Sequence, residues 1–359
     1  MDNCIPRRYA PVSKIYKSGL PYIFLKAGII CAVFFMWAMP AQAQWLSRDE
    51  AIMGTAIRVE LWTDDKAAGE AAIDAVMEEM RRIDREMSPF KPESELSRIN
   101  REAADHPVPI SAEMFDILTR SVEFSKLSGG TFDITFSSVG YMYDYRRHIK
   151  PTDEQIKKAL PGINYRHILL DKDKQTVAFS QPGVRIDLGG IGKGYAVDKC
   201  IALLKTRGIT HALVTAGGDS RVLGDREGRP WMVGIRDPRR KDNVVAVIPL
   251  INSAISTSGD YERYFEVDGV RYHHILNPKT GRSATGVHSA SIIGPDATTT
   301  DGLSKPVFIL GPEKGLKLIE SIPGVDAVVI DAEGRMFFSS GLQNLQREVS
   351  VPAASISGK

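Results

Sequence analysis

Apolar residues recur along this chain at two spacings. Over residues 64–87, Ala68, Ala71, Ala72, Ala75, Val76, Met80 and Ile83 fall at helical intervals, so they share one face. A second helix is predicted over 111–127, started by Ser111 and stopped by Gly129-Gly130. A third is predicted over 195–205, and two more over 299–310 and 312–321. Runs of strand character cover 53–61, 168–179, 184–188, 211–215, 231–235, 244–249, 251–256, 289–294, 325–330 and 336–339. Residues 261–267 and 270–275 flank Asp268-Gly269, a tight-turn pair that predicts a hairpin. Strands and helices do not alternate strictly. This predicts an α+β fold with mixed or antiparallel sheets rather than a doubly wound parallel sheet.

The first 43 residues follow neither spacing. Arg7, Arg8, Lys14, Lys17 and Lys26 precede an uncharged apolar run over 27–43 that ends in Ala41-Gln42-Ala43. Basic region, apolar region and small-residue site read as a secretory signal cut after Ala43. The run is also at the short edge of a membrane span, so an uncleaved anchor is the alternative. The expected location is extracytoplasmic or periplasmic, with inner-membrane contact only if the segment stays. Residues 44–340 then form one folded domain, and 341–359, poor in large apolar groups, a loose tail. The near-balance of 46 basic and 44 acidic residues argues against a general nucleic-acid binder. Removing the leader leaves Cys200 alone, so the core must hold without an internal disulfide. Its helical apolar neighbours, Val197, Ile201 and Leu204, make it a core residue.

Four segments carry more chemistry than packing requires. In the first, Arg185 to Ala196, a glycine-rich turn opens a helix around Lys193, an arrangement that points backbone N–H groups at an anion. Its spacing, Gly190-x-Gly192-x-Gly194, fits neither the Walker loop nor the dinucleotide fingerprint. The second, Ala216-Gly217-Gly218-Asp219, allows close approach of another backbone or a ligand. The third runs through Ser258-Gly259-Asp260 and His273-His274-Ile275-Leu276-Asn277-Pro278, placing imidazole beside a turn. Neighbours on a strand point to opposite faces, so the two histidines do not form a metal pair. The fourth, Thr300-Asp301-Gly302-Leu303-Ser304-Lys305, sets Asp301 and Lys305 four apart on one helical face.

In this order, with Met53-Gly54-Thr55 and Gly129-Gly130-Thr131-Phe132-Asp133, these segments resemble the ApbE family of flavin transferases. The resemblance implies an α+β fold with FAD in a cleft between two lobes. It implies cleavage of FAD, attachment of FMN through a phosphoester to Thr or Ser of an acceptor protein, and release of AMP. Magnesium is the implied metal. The acceptor motif it implies, Asp-x-x-Thr/Ser-Gly-Ala/Ser-Thr, does not occur here. The acceptor is therefore another chain, expected to be an extracytoplasmic, membrane-associated redox subunit. FAD hydrolysis by water and non-catalytic flavin carriage are the competing readings.

Carried over by position, Met53, Thr131, Phe132, Asp133, Asp187, Lys193, His274 and Ile275 are the expected FAD contacts. The Gly190 carbonyl and Asp301 carboxylate match metal ligands. His274 is the candidate general base, because an ordinary imidazole titrates near ~6.5, with Asp260 or Asp301 as alternatives. One departure stands out. The family usually places a metal-binding Thr where this chain has Lys305, and an ammonium has no lone pair to donate. Two readings are open. Either Ser304 or Thr300 replaces the ligand, or Lys305 itself neutralises the diphosphate.

Overall fold

Strand β1 (Gln44–Ile52) turns into β2 (Thr55–Thr63) through Met53-Gly54. Both turn residues have positive φ, 55° and 68°, as a two-residue hairpin turn of matching twist requires. Residues 53–61 are thus not one strand: Met53 and Gly54 are the turn. The computed structural model describes residues 43–240 and 242–343, which belong to one compact unit. The predicted leader, apart from Ala43, and the tail beyond 343 lie outside the described residues. Residues 341 and 342 still belong to a short 3₁₀ turn, Ser340–Leu342.

Six more strands complete the main sheet: β3 (Ala212–Ala216), β4 (Asp219–Leu223), β5 (Ala254–Gly259), β6 (Val287–Gly294), β7 (Asp326–Asp331) and β8 (Met336–Phe338). They lie in chain order from β1 to β8, and every neighbouring pair is antiparallel. The fold class is therefore the predicted α+β with antiparallel pairing. At the β3–β4 turn, a Cβ on Gly217 would lie 2.6 Å from Thr55 Oγ1, and one on Gly218 2.7 Å from the Thr257 carbonyl oxygen. Only bare backbone fits there, which brings the β1–β2 turn, the β3–β4 turn and β5 together.

Helix α1 (Lys66–Met87) is capped by Asp65, which accepts the Ala67 and Ala68 N–H groups. It buries Ile73, Val76, Met77, Met80 and Ile83 along one stripe. Helix α2 (Ala112–Leu127) is capped by Ser111 and ends before Gly129 and Gly130, both at positive φ. Helix α3 (Gly192–Thr206) begins three residues earlier than predicted, so Lys193 sits in its first turn. Helix α4 (Ala297–Glu320) breaks at Gly311 (φ 80°), where Pro312 opens the second segment. Helices α1 and α3 bury the main core with β1, β2 and β3, and α4 closes a second cluster with β6 and β7. A separate hairpin, Trp231–Arg236 with Val244–Leu250, shares a third cluster with Val222, Ile255 and Val328. Cys200 is in the main core, and burial pushes its thiol well above its ordinary pKa.

Two sequence expectations change. Residues 168–179 are two strands, Ile168–Asp171 and Thr176–Phe179, folded on each other. Residues 184–188 form no strand, because side chains take the backbone groups that a ladder would use. Asn100 bonds both Ile186 backbone groups, at 2.8 and 2.9 Å, and Ser138 Oγ accepts the Arg185 N–H at 3.0 Å.

The N-termini of α3 and α4 are tied to each other. The Gly194 N–H donates to Asp301 Oδ2 at 3.0 Å. In return the Asp198 carboxylate accepts the Ala297 N–H at 2.9 Å and the Thr298 N–H at 2.8 Å, and holds Arg221 of β4 at 2.7 Å. A Cβ on Gly194 would stand 2.7 Å from Asp301 Cβ, so the approach needs glycine. Each carboxylate also sits in the favourable field of the opposite helix end. Replacing Asp198 with Ala strands two N–H donors and one guanidinium. The expected loss is on the order of 2–4 kcal/mol, read as a lower urea midpoint, with Asp198→Asn intermediate. Equal midpoints for Asp198→Ala and the parent would contradict the tie.

Candidate active site

The tie aims the first turn of α3 into a cavity of about 570 Å³ at one end of the sheet. Its rim and walls come from separated stretches. Met53 comes from the β1–β2 turn, Gly217 to Asp219 from the β3–β4 turn, Thr257 to Gly259 from β5, and His274 and Ile275 from the loop after a hairpin of Tyr264–Val267 with Val270–His273. Met53 is held at positive φ, an unusual conformation for a side chain of its size and one that clusters at ligand sites.

Four charges lie together beside this cavity. Lys193 Nζ is 2.8 Å from Asp219 Oδ2 and 3.8 Å from Asp301 Oδ2. Lys305 Nζ bonds Asp301 Oδ1 and lies 3.1 Å from the Asp301 carbonyl oxygen. Lys193, Asp219 and Lys305 line the cavity, with the fully buried Asp301 joined to both lysines. Burial, then the neighbouring Lys193 ammonium, push Lys305 down to about 7, while Asp219 pulls it upward. Burial raises the Asp219 carboxyl, and Lys193 and Lys305 outweigh it, holding it below the usual range.

The two histidines diverge as their strand position predicts. His273 turns inward and bonds the Ala284 carbonyl at 2.7 Å. His274 lines the cavity, and its Nδ1 has no hydrogen-bond partner among the described residues. Its ordinary pKa near neutrality is not kept. Burial, with His273 and the cations Arg263, Lys193 and Lys305 behind it, pushes His274 down to about 3. Asp260 does not join the site. Its neighbour Gly259 lines the cavity, but the Asp260 carboxylate takes Arg239 at 2.8 and 2.6 Å and His288 at 3.2 Å. Burial raises its carboxyl, yet the Arg239 bonds outweigh that and hold it below the usual range. Asp301 has both oxygens engaged. Of the three acid–base candidates, His274 alone lines the cavity.

The remaining expected residues are brought together. Thr131, Phe132, Asp133, Asp187, Gly190 and Ile275 all line the cavity. Phe132 is nevertheless only 3% exposed and packs edge-on against Phe124, so it is more foundation than wall. Asp133 is occupied in holding the loop: it accepts the Thr135 N–H at 2.9 Å and the Tyr165 N–H at 2.7 Å. Asp187 accepts the Gly189 N–H at 2.6 Å, and burial pushes its carboxyl upward.

Sequence reasoning missed the aromatic mouth. Phe90 is 85% exposed and lines the cavity, held by the turn that follows α1. Tyr141 is 59% exposed and carries the Arg185 guanidinium 4.8 Å from its ring centroid. An aromatic ring directly after Ser88-Pro89 at a helix end was the available signal for Phe90.

The implied magnesium site fails a test of donors. Magnesium asks for six oxygen donors near 2.1 Å. Of the expected set, Asp301 already serves Gly194 and Lys305, and position 305 supplies a cation instead of a lone pair. The substitute hydroxyls are turned to the sheet: Ser304 Oγ bonds Ser258 Oγ and Thr300 Oγ1 bonds Ser256 Oγ, each at 2.8 Å. The residues present do not fit the metal.

An antiparallel sheet with two lysines beside a glycine-rich helix start, and aromatic rings lining the same cavity, offers cations and backbone N–H groups to an anionic ligand that carries ring systems. The chain belongs to the ApbE family, whose sequence pattern matches residues 53–329. A protein of Treponema pallidum named FAD:protein FMN transferase is 34% identical over 321 residues, covering 84% of this chain and 89% of that one. The Escherichia coli K12 protein of the same name is 31% identical over 294 residues, 79% and 84% of the two chains. The crystal structure of the ApbE protein of Thermotoga maritima superposes with TM-score 0.79 at 34% identity, covering 85% of this chain and 100% of that one. The flavin transferase ApbE of Vibrio cholerae gives 0.74 at 27%, with 85% and 100% covered.

The lowered His274 value fixes a pH dependence. The unfolded chain protonates this ring below roughly pH 6.5, whereas the folded chain does not until about 3. Stability is therefore complete above the unfolded value and is lost as pH falls through that window. Replacing His274 with Gln should flatten the stability–pH curve there by at most about 1.4 kcal/mol per pH unit. Parallel curves for the variant and parent would show that the ring is not held neutral.

Proposed function

We propose that this chain is an FAD:protein FMN transferase. The observation that carries the proposal is the pair Lys193 and Lys305, two ammonium groups lining a cavity at a helix N-terminus. The named function of the Treponema and Escherichia relatives supports it. FAD would lie with its diphosphate against these groups and its ring systems toward Phe90 and Tyr141. A diphosphate resists nucleophiles because its oxygens are anionic, and fixed cations remove that barrier most effectively where charge builds up.

In the reaction, the hydroxyl oxygen of an acceptor Thr or Ser attacks the FMN-side phosphorus. The new bond joins that oxygen to phosphorus. The bond to the bridging oxygen breaks, and AMP leaves with the electron pair. The hydroxyl proton goes to a base, and His274 is the base in this reading, supported by an Nδ1 that has no hydrogen-bond partner among the described residues. Its proton affinity in the protein alone is low, and an adjoining diphosphate raises it. Lys193 and Lys305 hold the charge that develops on the departing phosphate. Asp187 and Asp133 shape the loops that bind the cofactor.

The acceptor is a protein hydroxyl, read here as belonging to an extracytoplasmic redox subunit at the membrane. The basic–apolar–small pattern of residues 1–43 supports export. A cut after Ala43 leaves the sheet whole, since β1 starts at Gln44. Magnesium is the metal the family resemblance implies, and no step above passes through it.

The test combines the purified chain with FAD and a peptide carrying Asp-Gly-Val-Ser-Gly-Ala-Thr. The expected outcome is a peptide mass gain equal to attached FMN, matched by AMP. AMP release without peptide modification would indicate hydrolysis, and FAD binding without AMP a carrier. Replacing Lys193 with Met should cut kcat/KM by on the order of 10²–10³. Replacing Phe90 with Ala should raise the Kd for FAD roughly tenfold, the size of one lost ring stack, with little change in Tm.

A further inference from the structure

We infer that Lys305 is a built-in replacement for the divalent cation, so that this chain holds the FAD diphosphate without a metal ion. The inference rests on the flavin reading of the site. Its ground is where the side chain goes. Lys305 lies one turn after Asp301, and its ammonium closes back onto the Asp301 carboxylate and onto the Asp301 carbonyl at 3.1 Å. Its stem runs past Gly190, where a Cβ would be 3.9 Å from Lys305 Cε. Gly190 and Asp301 are the two residues that the family resemblance gives to the metal. The ammonium bonds one of them, and its stem passes the other.

The neighbours agree with that assignment. The second Asp301 oxygen is taken by the Gly194 N–H at 3.0 Å, with Lys193 3.8 Å away. The Ser304 and Thr300 hydroxyls, which could have replaced the missing ligand, are bonded across to β5. The charges also close. Asp219 and Asp301 face Lys193 and Lys305, two acids against two lysines, and a divalent ion would add its whole charge beside the lysines. A divalent ion would have to expel a fixed ammonium, whereas a diphosphate only adds anions to it.

The test measures binding, not turnover. Flavin fluorescence gives the Kd for FAD of the full chain in EDTA and in excess MgCl₂. Electron paramagnetic resonance of Mn²⁺ counts metal sites, with and without FAD. The expected Kd values agree within about twofold in the two buffers, and no stoichiometric Mn²⁺ site forms. In Lys305→Thr, FAD affinity in EDTA should fall at least about tenfold, magnesium should restore it, and one Mn²⁺ site should be gained. Lys305→Arg, which keeps the charge, should stay metal-independent and guards against a folding defect in the Thr variant. Magnesium-dependent FAD binding, or one tight Mn²⁺ per parent chain, would overturn the inference. So would a Lys305→Thr variant that binds FAD equally well in EDTA. If FAD bound in neither buffer, the flavin reading itself would fall. Mn²⁺ titration of the free protein would still decide Lys305: one tight site refutes the replacement, and none upholds it.

Discussion

The site depends on an exchange of carboxylates between two helix starts. Asp198 of α3 accepts the first N–H groups of α4, and Asp301 of α4 accepts an N–H from the first turn of α3. Helix starts normally satisfy these donors with local caps. Here α4 keeps a local cap, Asp296 on the Thr299 N–H, and each helix in addition supplies an acceptor to the other, so neither can move without exposing donors in both. The arrangement fixes the direction of Lys193 and Lys305, which leave the two helices toward one cavity. Gly194 permits the approach, and Arg221 extends the tie into the sheet.

Electrostatics then separates two tasks. The acids Asp219 and Asp301 offset part of the repulsion between the two lysines. Burial and mutual repulsion leave Lys305 near 7, a cation held at a cost that an anionic ligand relieves. Burial, helped by the same cations, holds His274 neutral. On the proposed mechanism, this poor proton acceptor becomes a better one beside a diphosphate, so that binding the anion and readying the base are one event.

Much of this was legible in the chain. Helices α1 and α2 carry Asp65 and Ser111 as caps, and their apolar stripes repeat cleanly, so both were located almost to the residue. The ordered glycine and acid motifs located the cavity residues, because close approach and helix-start chemistry leave few choices of residue. Strand β1 was missed: its Arg48, Asp49 and Glu50 suit a sheet edge, where polar side chains are favoured and alternation blurs. Residues 184–188 read as a strand because pattern reports side chains and cannot see Asn100 and Ser138 taking the backbone groups. Asp260 was misjudged for a related reason. Its motif lies in the site, but the carboxylate is captured by Arg239, a residue far from that motif in sequence. Phe90 went unnoticed because an isolated exposed ring has no period.

The central claim is that the two lysines, placed by the crossed helix starts, are what hold the cofactor's phosphates. A crystal structure of the full chain with FAD, grown without added metal, tests it most directly. The account predicts diphosphate oxygens within hydrogen-bond distance of both Lys193 Nζ and Lys305 Nζ, above the first turn of α3, with the ring systems against Phe90 and Tyr141. A diphosphate bound elsewhere in the cavity, or Lys305 turned away with a metal ion between Gly190 and Asp301, would contradict it.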